Sequence, residues 1–330
     1  MIELKIAIVG ASGLVGRKMI QVLEERDFPL TSLKLLASSK SAGEKIIFRG
    51  KELIIEELNE LSFNDVDIAL FSAGSDISKL YAPIAVKNRC LAIDNSSYWR
   101  LNENTPLVVP EVNSNHLRNH SGIIANPNCS TIQLMVALKP ISDLYGLKRV
   151  ICSTYQSISG AGQKGMDKLN YEIETGESKD KHKIAFNAIF HPIDESLNSV
   201  EENKMMAESK KILDLPHLKI NVTCVRLPIL GGHAESVNVE TNYPFAISDI
   251  KKCLSSFEGI KILDNPSEEE YPTPFIANDT DEVYIGRIRE DSSSINTFNM
   301  WVVADNLRKG AATNAVQIAE KVIEMNLLMR

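Results

Sequence analysis

The stretch Lys5-Ile6-Ala7-Ile8-Val9-Gly10-Ala11-Ser12-Gly13-Leu14-Val15-Gly16 decides how the first part of this chain folds. Lys5 to Val9 is a short, nearly continuous apolar run, the pattern of a central parallel strand covered on both faces. Three glycines follow at once, and a helix-like stretch runs from about Leu14 to Glu25. In that setting the first two glycines permit a tight turn and close approach of backbone to a phosphate. The third lets the helix pack on the sheet, and the helix N-terminus attracts the anion. The spacing is G-x-x-G-x-x-G rather than the commonest one, so the position between strand and helix carries the reading. Gly10, Ser12, Gly13, Leu14 and Val15 become candidate cofactor-binding residues.

Leu33-Lys34-Leu35-Leu36 reads as the next strand and ends in Ala37-Ser38-Ser39-Lys40-Ser41-Ala42-Gly43. An NAD site usually carries Asp or Glu about 20 residues after the glycines, to bind the ribose 2′-hydroxyl. Here that place holds hydroxyls and a lysine, which suit a 2′-phosphate, so Ser38, Lys40 and Ser41 point to NADP. Further strand ends fall at Phe71, before Ser72-Ala73-Gly74, and at Ile93, before Asp94-Asn95-Ser96-Ser97. Small polar residues at the carboxyl ends of parallel strands are where such sheets take ligands. Arg100 follows close to that rim.

At 330 residues the chain exceeds what one core usually organises, and two domains are expected. A net charge of −7 excludes non-specific nucleic-acid or anionic-membrane binding as a main function. No apolar run approaches the ~18 residues that span a bilayer. The first residues pass straight into a strand, which fits neither a signal nor a transit peptide. Cysteines at 90, 129, 152, 224 and 253 show no paired spacing, so reduced thiols, a cytoplasmic setting and no metal are expected.

Asn126-Pro127-Asn128-Cys129-Ser130-Thr131-Ile132 is the second decisive stretch. Pro127 disfavours helix before it, Asn128 is a favoured N-cap residue, and Ile132, Leu134, Met135, Val136 and Leu138 follow as an apolar run. Cys129 therefore sits in the first turn of a buried helix, where unpaired N–H groups and the macrodipole favour a thiolate. Beyond it, Val150 to Ser157 reads as a strand with Gln156 at its end, followed by a glycine-bearing loop from Ser157 to Gly165. The densely charged stretch from Glu172 to Lys183 reads as an exposed connector, and Ser199 to Lys204 opens a helix with Glu201 and Lys204 on one face. Lys219 to Val225 is a strand by alternation, and a second strand continues from Ser236 to Glu240. Arg226 and His233 flank the Pro/Gly-shaped connection between them, which can hold both side chains near each other. Strands from about Val283 to Arg289 and Asn296 to Ala304 precede a final amphipathic helix reaching about Leu328, for which the first domain is a plausible host.

Taken in order, Gly10 to Gly16, Ala37 to Gly43, Pro127 to Thr131, Tyr155 to Gly162, Arg226-Leu227-Pro228 with Gly232-His233-Ala234-Glu235, and Asn306 to Ala312 make the chain resemble aspartate-semialdehyde dehydrogenases over nearly its full length. The resemblance implies an α/β protein: a Rossmann-like NADP-binding domain (1–128 with 306–330, the C-terminal helix packing back) and an α+β catalytic and dimerisation domain (129–305) with a largely antiparallel or mixed sheet. It implies that Cys129 is the nucleophile, His233 the acid/base, and Gln156 an orienter of the reacting acyl group. It further implies Arg226 on the substrate α-carboxylate, Glu201 on its amino group, and Arg100, Lys204 and Asn128 around phosphate. Ser72, Ala73, Gly74, Ser159, Gly160 and Asn306 join the cofactor-binding positions. The implied reaction is NADPH-dependent reductive dephosphorylation of L-aspartyl-4-phosphate to L-aspartate 4-semialdehyde through a cysteine thioester, in lysine/diaminopimelate, methionine, threonine and isoleucine biosynthesis, by a homodimer. Lys40 stands where arginine is common, and Asn203 where a larger residue is common, so the amino-group contact falls to Glu201 or Glu202. The alternatives are an N-acetyl-γ-glutamyl-phosphate reductase and a catalytically silent NADP-binding sensor.

Overall fold

The computed structural model describes residues 4–329. The chain divides into two compact units, Met1–Pro127 with Ala311–Arg330 and Asn128–Gly310.

In the first unit β1 (Lys5–Val9), β2 (Ser32–Ala37), β3 (Lys45–Phe48), β4 (Lys51–Glu57), β5 (Ile68–Phe71), β6 (Leu91–Asp94) and β7 (Ile123–Ala125) form one sheet. Its order is β3-β4-β2-β1-β5-β6-β7. Every pairing from β4 to β7 is parallel, and only β3 runs antiparallel, on β4. Alternation along β1 sends Ile6 and Ile8 to one face and Ala7 and Val9 to the other. The first face is covered by α1 (Leu14–Glu25) and by the C-terminal helix Thr313–Glu324, through Met19, Leu23, Val316, Ile318 and Val322. The second takes Ala82 and Ala85 of α2 (Ser75–Lys87), together with Phe63 and Phe71. A four-residue helix, α3 (Pro110–Asn113), completes the unit. The C-terminal helix ends at Glu324, short of the expected Leu328, and a π turn, Arg308–Ala312, comes before it.

Strand order reverses at β1, which neighbours both β2 and β5, so the ends of β1 and β5 flank the point where doubly wound sheets bind ligands. Gly10 follows β1 with φ +93°, and a Cβ there would lie 2.5 Å from the Ser72 carbonyl oxygen that follows β5. A Cβ on Gly16 would come within 2.2 Å of the Gly10 carbonyl oxygen. Both positions therefore exclude any side chain.

The second unit is built on α4 (Cys129–Tyr145), β8 (Leu147–Gln156), α5 (Gly162–Thr175), β9 (Ile189–Phe190), α6 (Val200–Ile212), β10 (Lys219–Arg226), β11 (His233–Thr241), α7 (Ile247–Ser255), β12 (Ile260–Ile262), α8 (Pro274–Ala277), β13 (Val283–Glu290) and β14 (Thr297–Ala304). Its sheet runs β12-β13-β14-β11-β8-β10-β9 and is mixed, with four antiparallel pairings and two parallel ones, β8 with β10 and β12 with β13. Residues 130–138 of α4 are all buried, as a helix apolar on every side must be.

Glu172 departs from the reading of residues 172–183 as an exposed connector, which holds for most of the stretch beyond it. Gly162 already opens α5, which carries Glu172 as a side chain only 1% exposed. Its carboxylate accepts the Ile184 and Ala185 amides at 2.7 and 2.9 Å and the Ser178 hydroxyl at 2.6 Å. Burial alone would raise its pKa, but these bonds and Lys168 outweigh it and the net displacement is downward. A depressed folded-state pKa means stability that is full above the unfolded value, about 4.3, and lost as pH falls through the folded one. Glu172→Gln is expected to speed hydrogen exchange at Ile184 and Ala185 by about tenfold or more at neutral pH, the equivalent of one charge-assisted bond. The difference from wild type should shrink at acid pH.

Candidate active site

Three neighbouring strands of the second unit present polar residues at one level of one sheet face. On β8 one phase of the alternation is buried at Val150, Cys152, Thr154 and Gln156; on β10 the same phase ends at Arg226, which is paired with Gln156. On β11 the phase runs His233, Glu235, Val237, Val239, and the next residue, Ala234, is paired with Tyr155. Arg226, Gln156 and His233 therefore lie side by side where β8 and β10 end and β11 begins. α4 packs on this face: Gln156 Nε2 donates to Ser130 Oγ at 2.8 Å, and Gln133 Nε2 donates to the His233 carbonyl at 3.4 Å. The first turn of α4, with Cys129 half-buried, is thereby set over the row.

Asn128 is the N-cap, its Oδ1 accepting the Ser130 and Thr131 amides at 3.0 and 3.3 Å. Two carboxylates of α6 hold Asn128 in turn, Glu201 through its side-chain amide at 2.6 Å and Glu208 through its backbone N–H at 2.7 Å. Lys204 lies 3.5 Å from Glu201. Burial would raise the Glu201 carboxyl, yet Lys204, Asn128, His191 and Arg226 together hold it below its ordinary range. Glu202 faces elsewhere. It closes a capping box with Ser199 and accepts the Cys224 amide at 2.8 Å, so of the two adjacent carboxylates only Glu201 faces the cluster.

His233 is wholly buried. Its Nδ1 accepts the Ser157 backbone N–H at 3.1 Å, and a backbone amide is always the donor. A neutral ring therefore carries its proton on Nε2, which has no protein partner. Burial, reinforced by Arg226, pushes its pKa down to about 3, so the ring is neutral at physiological pH. Ser159 and Asn306 belong to the same buried network: Asn306 Oδ1 accepts the Ser157 and Ser159 hydroxyls at 3.0 and 3.2 Å and the Gly232 amide at 3.1 Å. Arg226 Nη1 donates to the Ser157 carbonyl at 2.6 Å. Burial lowers its pKa, with Cys129 and Glu201 opposing, which places the guanidinium within electrostatic reach of the thiol.

Two glycines make room for these groups. A Cβ on Gly160 would lie 2.8 Å from Arg226 Nη1 and 3.3 Å from His233 Nε2. A Cβ on Gly310 would lie 2.9 Å from Cys129 Cβ and 3.3 Å from its Cα, so backbone would have to shift. Gly310→Ala is expected to lower kcat by about 10–100-fold through displacement of the thiol, in a protein that still folds but melts at a somewhat lower temperature. Loss of the fold in place of loss of turnover would contradict that account.

Among residues the sequence did not single out, His191 bonds Gln156 Oε1 at 2.7 Å, and Ser157 and Glu208 brace His233 and Asn128. Only Glu208, at helical spacing from Glu201, carried a signal that could have found it.

The remaining candidates are in the first unit. Arg100 is buried, donating to the Asn126 and Asn95 carbonyls at 3.0 and 2.9 Å. Ser38 and Lys40 are exposed just beyond β2, and Ser72, Ala73 and Gly74 lead from β5 into α2. Neither α1 nor α2, which open behind Gly13 and Gly74, has a side-chain cap at its N-terminus. Such ends keep their N–H groups available to an anion.

Residues 5–120 match the family description "Semialdehyde dehydrogenase, NAD binding domain", and residues 138–309 match "Semialdehyde dehydrogenase, dimerisation domain". Fold and site thus define an oxidoreductase of the semialdehyde dehydrogenase class. The chain is 48% identical to the aspartate-semialdehyde dehydrogenase of Aquifex aeolicus, over 98% of this chain and 99% of that one. The crystal structure of aspartate semialdehyde dehydrogenase II complexed with ASA from Vibrio cholerae superposes with a TM-score of 0.94 at 43% identity, covering 98% and 99% of the two chains. That of the Candida albicans enzyme with NADP does so at 0.78 and 25%, over the same shares. The chain belongs to the aspartate-semialdehyde dehydrogenase family.

Proposed function

We propose that this enzyme reduces L-aspartyl-4-phosphate to L-aspartate 4-semialdehyde with NADPH, through a thioester on Cys129. The observation that carries the reading is the row Arg226, Gln156, His233 under the first turn of the Cys129 helix, with Glu201 and Lys204 beside it.

The helix N-terminus and the Arg226 guanidinium both favour negative charge on Cys129 Sγ. That sulfur attacks the acyl carbon, phosphate leaves, and a thioester remains. Arg226 offers a fork for the α-carboxylate, and Glu201, held ionised, accepts the ammonium group. Lys204 offers a cation for the leaving phosphate, and in the first unit Arg100 is a candidate for the same ion. The His233 Nε2–H is directed into the site without a protein acceptor, so it donates to the oxygen that becomes negative at the acyl carbon.

The first unit fits a dinucleotide: the Gly10–Val15 turn and the uncapped starts of α1 and α2 suit a pyrophosphate, and no carboxylate stands at the end of β2. Ser38, Lys40 and Ser41 would hold a 2′-phosphate, which favours NADP. When bound, NADPH supplies the hydride that reduces the thioester. The outward face of the second sheet, with Ile151 37% exposed, is the surface we assign to a homodimer. Sedimentation as a monomer at micromolar concentration would remove that assignment.

The test follows NADPH formation from L-aspartate 4-semialdehyde with and without phosphate, with NADP and NAD compared. Phosphate-dependent turnover that prefers NADP is expected. Activity only with the N-acetylglutamate semialdehyde would shift the substrate class, inactivity of a folded, NADP-binding protein would leave a silent sensor, and equal use of NAD would remove the role of Lys40.

A further inference from the structure

We propose that His191 is a positioning residue that fixes which end of the Gln156 amide faces the first turn of the Cys129 helix. The inference rests on the reading that Gln156 orients the reacting acyl group.

His191 follows β9, a two-residue strand whose Ile189 and Phe190 pair with Arg226 and Val225. This edge pairing carries the half-buried imidazole over Arg226 to Gln156, where Nε2 lies 2.7 Å from Oε1. The other end of the amide donates to Ser130 Oγ at 2.8 Å. A primary amide turned end for end has almost the same shape, so packing in this fully buried site does not choose its orientation. Ser130 does not choose either, because a hydroxyl both donates and accepts. The histidine chooses through its tautomer, and a neutral imidazole ordinarily favours the proton on Nε2. With its proton on Nε2 it donates to Oε1, and the NH2 group is turned toward Ser130, next to Cys129. One amide hydrogen engages Ser130, and the second remains for the acyl oxygen on Cys129. Losing the imidazole frees the amide to rotate, and half of its orientations then present an acceptor lone pair to a partly negative oxygen. Burial, then Arg226 and Lys204, hold the ring below its usual pKa against Glu201 and Glu202, so the donor is a neutral ring that adds no charge beside Arg226.

The test compares kcat and KM for L-aspartate 4-semialdehyde in wild type, His191→Ala, Gln156→Ala and the His191→Ala/Gln156→Ala double variant. The expected result for His191→Ala is a loss of about tenfold in kcat with KM within about threefold. In the Gln156→Ala background His191→Ala should cost nothing further. Additive losses or an effect confined to KM would overturn the proposal. The side-chain amide resonances of Gln156 in 15N-labelled protein give a readout that needs no substrate. They should be one sharp pair in wild type and shifted or broadened in His191→Ala; an unchanged pair would overturn the proposal too. Should wild type fail on the semialdehyde while the resonances behave as expected, the substrate reading fails and the positioning of Gln156 stands.

Discussion

Replacing Cys129 by serine is expected to abolish turnover, by about 10⁴-fold or more in kcat, while leaving the fold intact. The helix start does not depend on the thiol, since Asn128 caps Ser130 and Thr131 and is itself held by Glu201 and Glu208. What disappears is the sulfur nucleophile, for which a serine hydroxyl is no substitute without a strong base. His233 is not that base, because its Nδ1 is taken by the Ser157 amide and its proton sits on Nε2. The same contrast makes alkylation selective. Burial pushes the thiols of Cys90, Cys152, Cys224 and Cys253 up, that of Cys224 to about 12, whereas Cys129 is half-buried. Iodoacetamide near neutral pH should inactivate the enzyme with labelling confined to Cys129. Labelling spread evenly over all five cysteines would contradict the assignment of the nucleophile.

Arg226→Lys is expected to raise KM for the semialdehyde by about 10²-fold and to lower kcat/KM by about 10³-fold. Lysine keeps the charge, but a point ammonium cannot hold the Ser157 carbonyl, as Nη1 does at 2.6 Å, and present a fork to a carboxylate as well. The Ser157 segment also supplies the amide that fixes the His233 tautomer, so kcat should fall with the rise in KM. A variant with unchanged KM and reduced kcat would show that Arg226 braces the loop and does not bind the carboxylate. The two constants separate those roles.

The sequence made the first sheet legible because strands buried on both faces read as apolar runs, and the Gly10–Gly16 turn sits where such a strand feeds a helix. It missed the β3–β4 hairpin, where Ile47 and Ile54 point outward at 62% and 56% exposure and so leave two short apolar runs without the alternation that marks a half-buried strand. Charge density likewise misled at Glu172, since composition does not distinguish a solvated carboxylate from one that organises a loop. In the site, the Cys129 helix start followed from Pro127 and Asn128, and the closeness of Arg226 and His233 followed from the short connection between their strands. Their alignment with Gln156 did not, because it depends on which strands are neighbours and in what register. Glu201 and Glu202 could have been told apart in advance, as Ser199 and Glu202 have capping-box spacing and that use removes Glu202 from the site. His191 left no sequence signal, being an isolated histidine beyond a two-residue strand.

The central claim is that the acyl group passes through Cys129. Wild type mixed with L-aspartate 4-semialdehyde and NADP in the absence of phosphate, then quenched in acid, should gain the mass of one aspartyl acyl group. Peptide mapping should place it on Cys129, hydroxylamine should remove it, and phosphate added before the quench should discharge it. NADPH formation at the full rate with Cys129 unmodified, or an adduct on another residue that phosphate discharges, would contradict the thioester route.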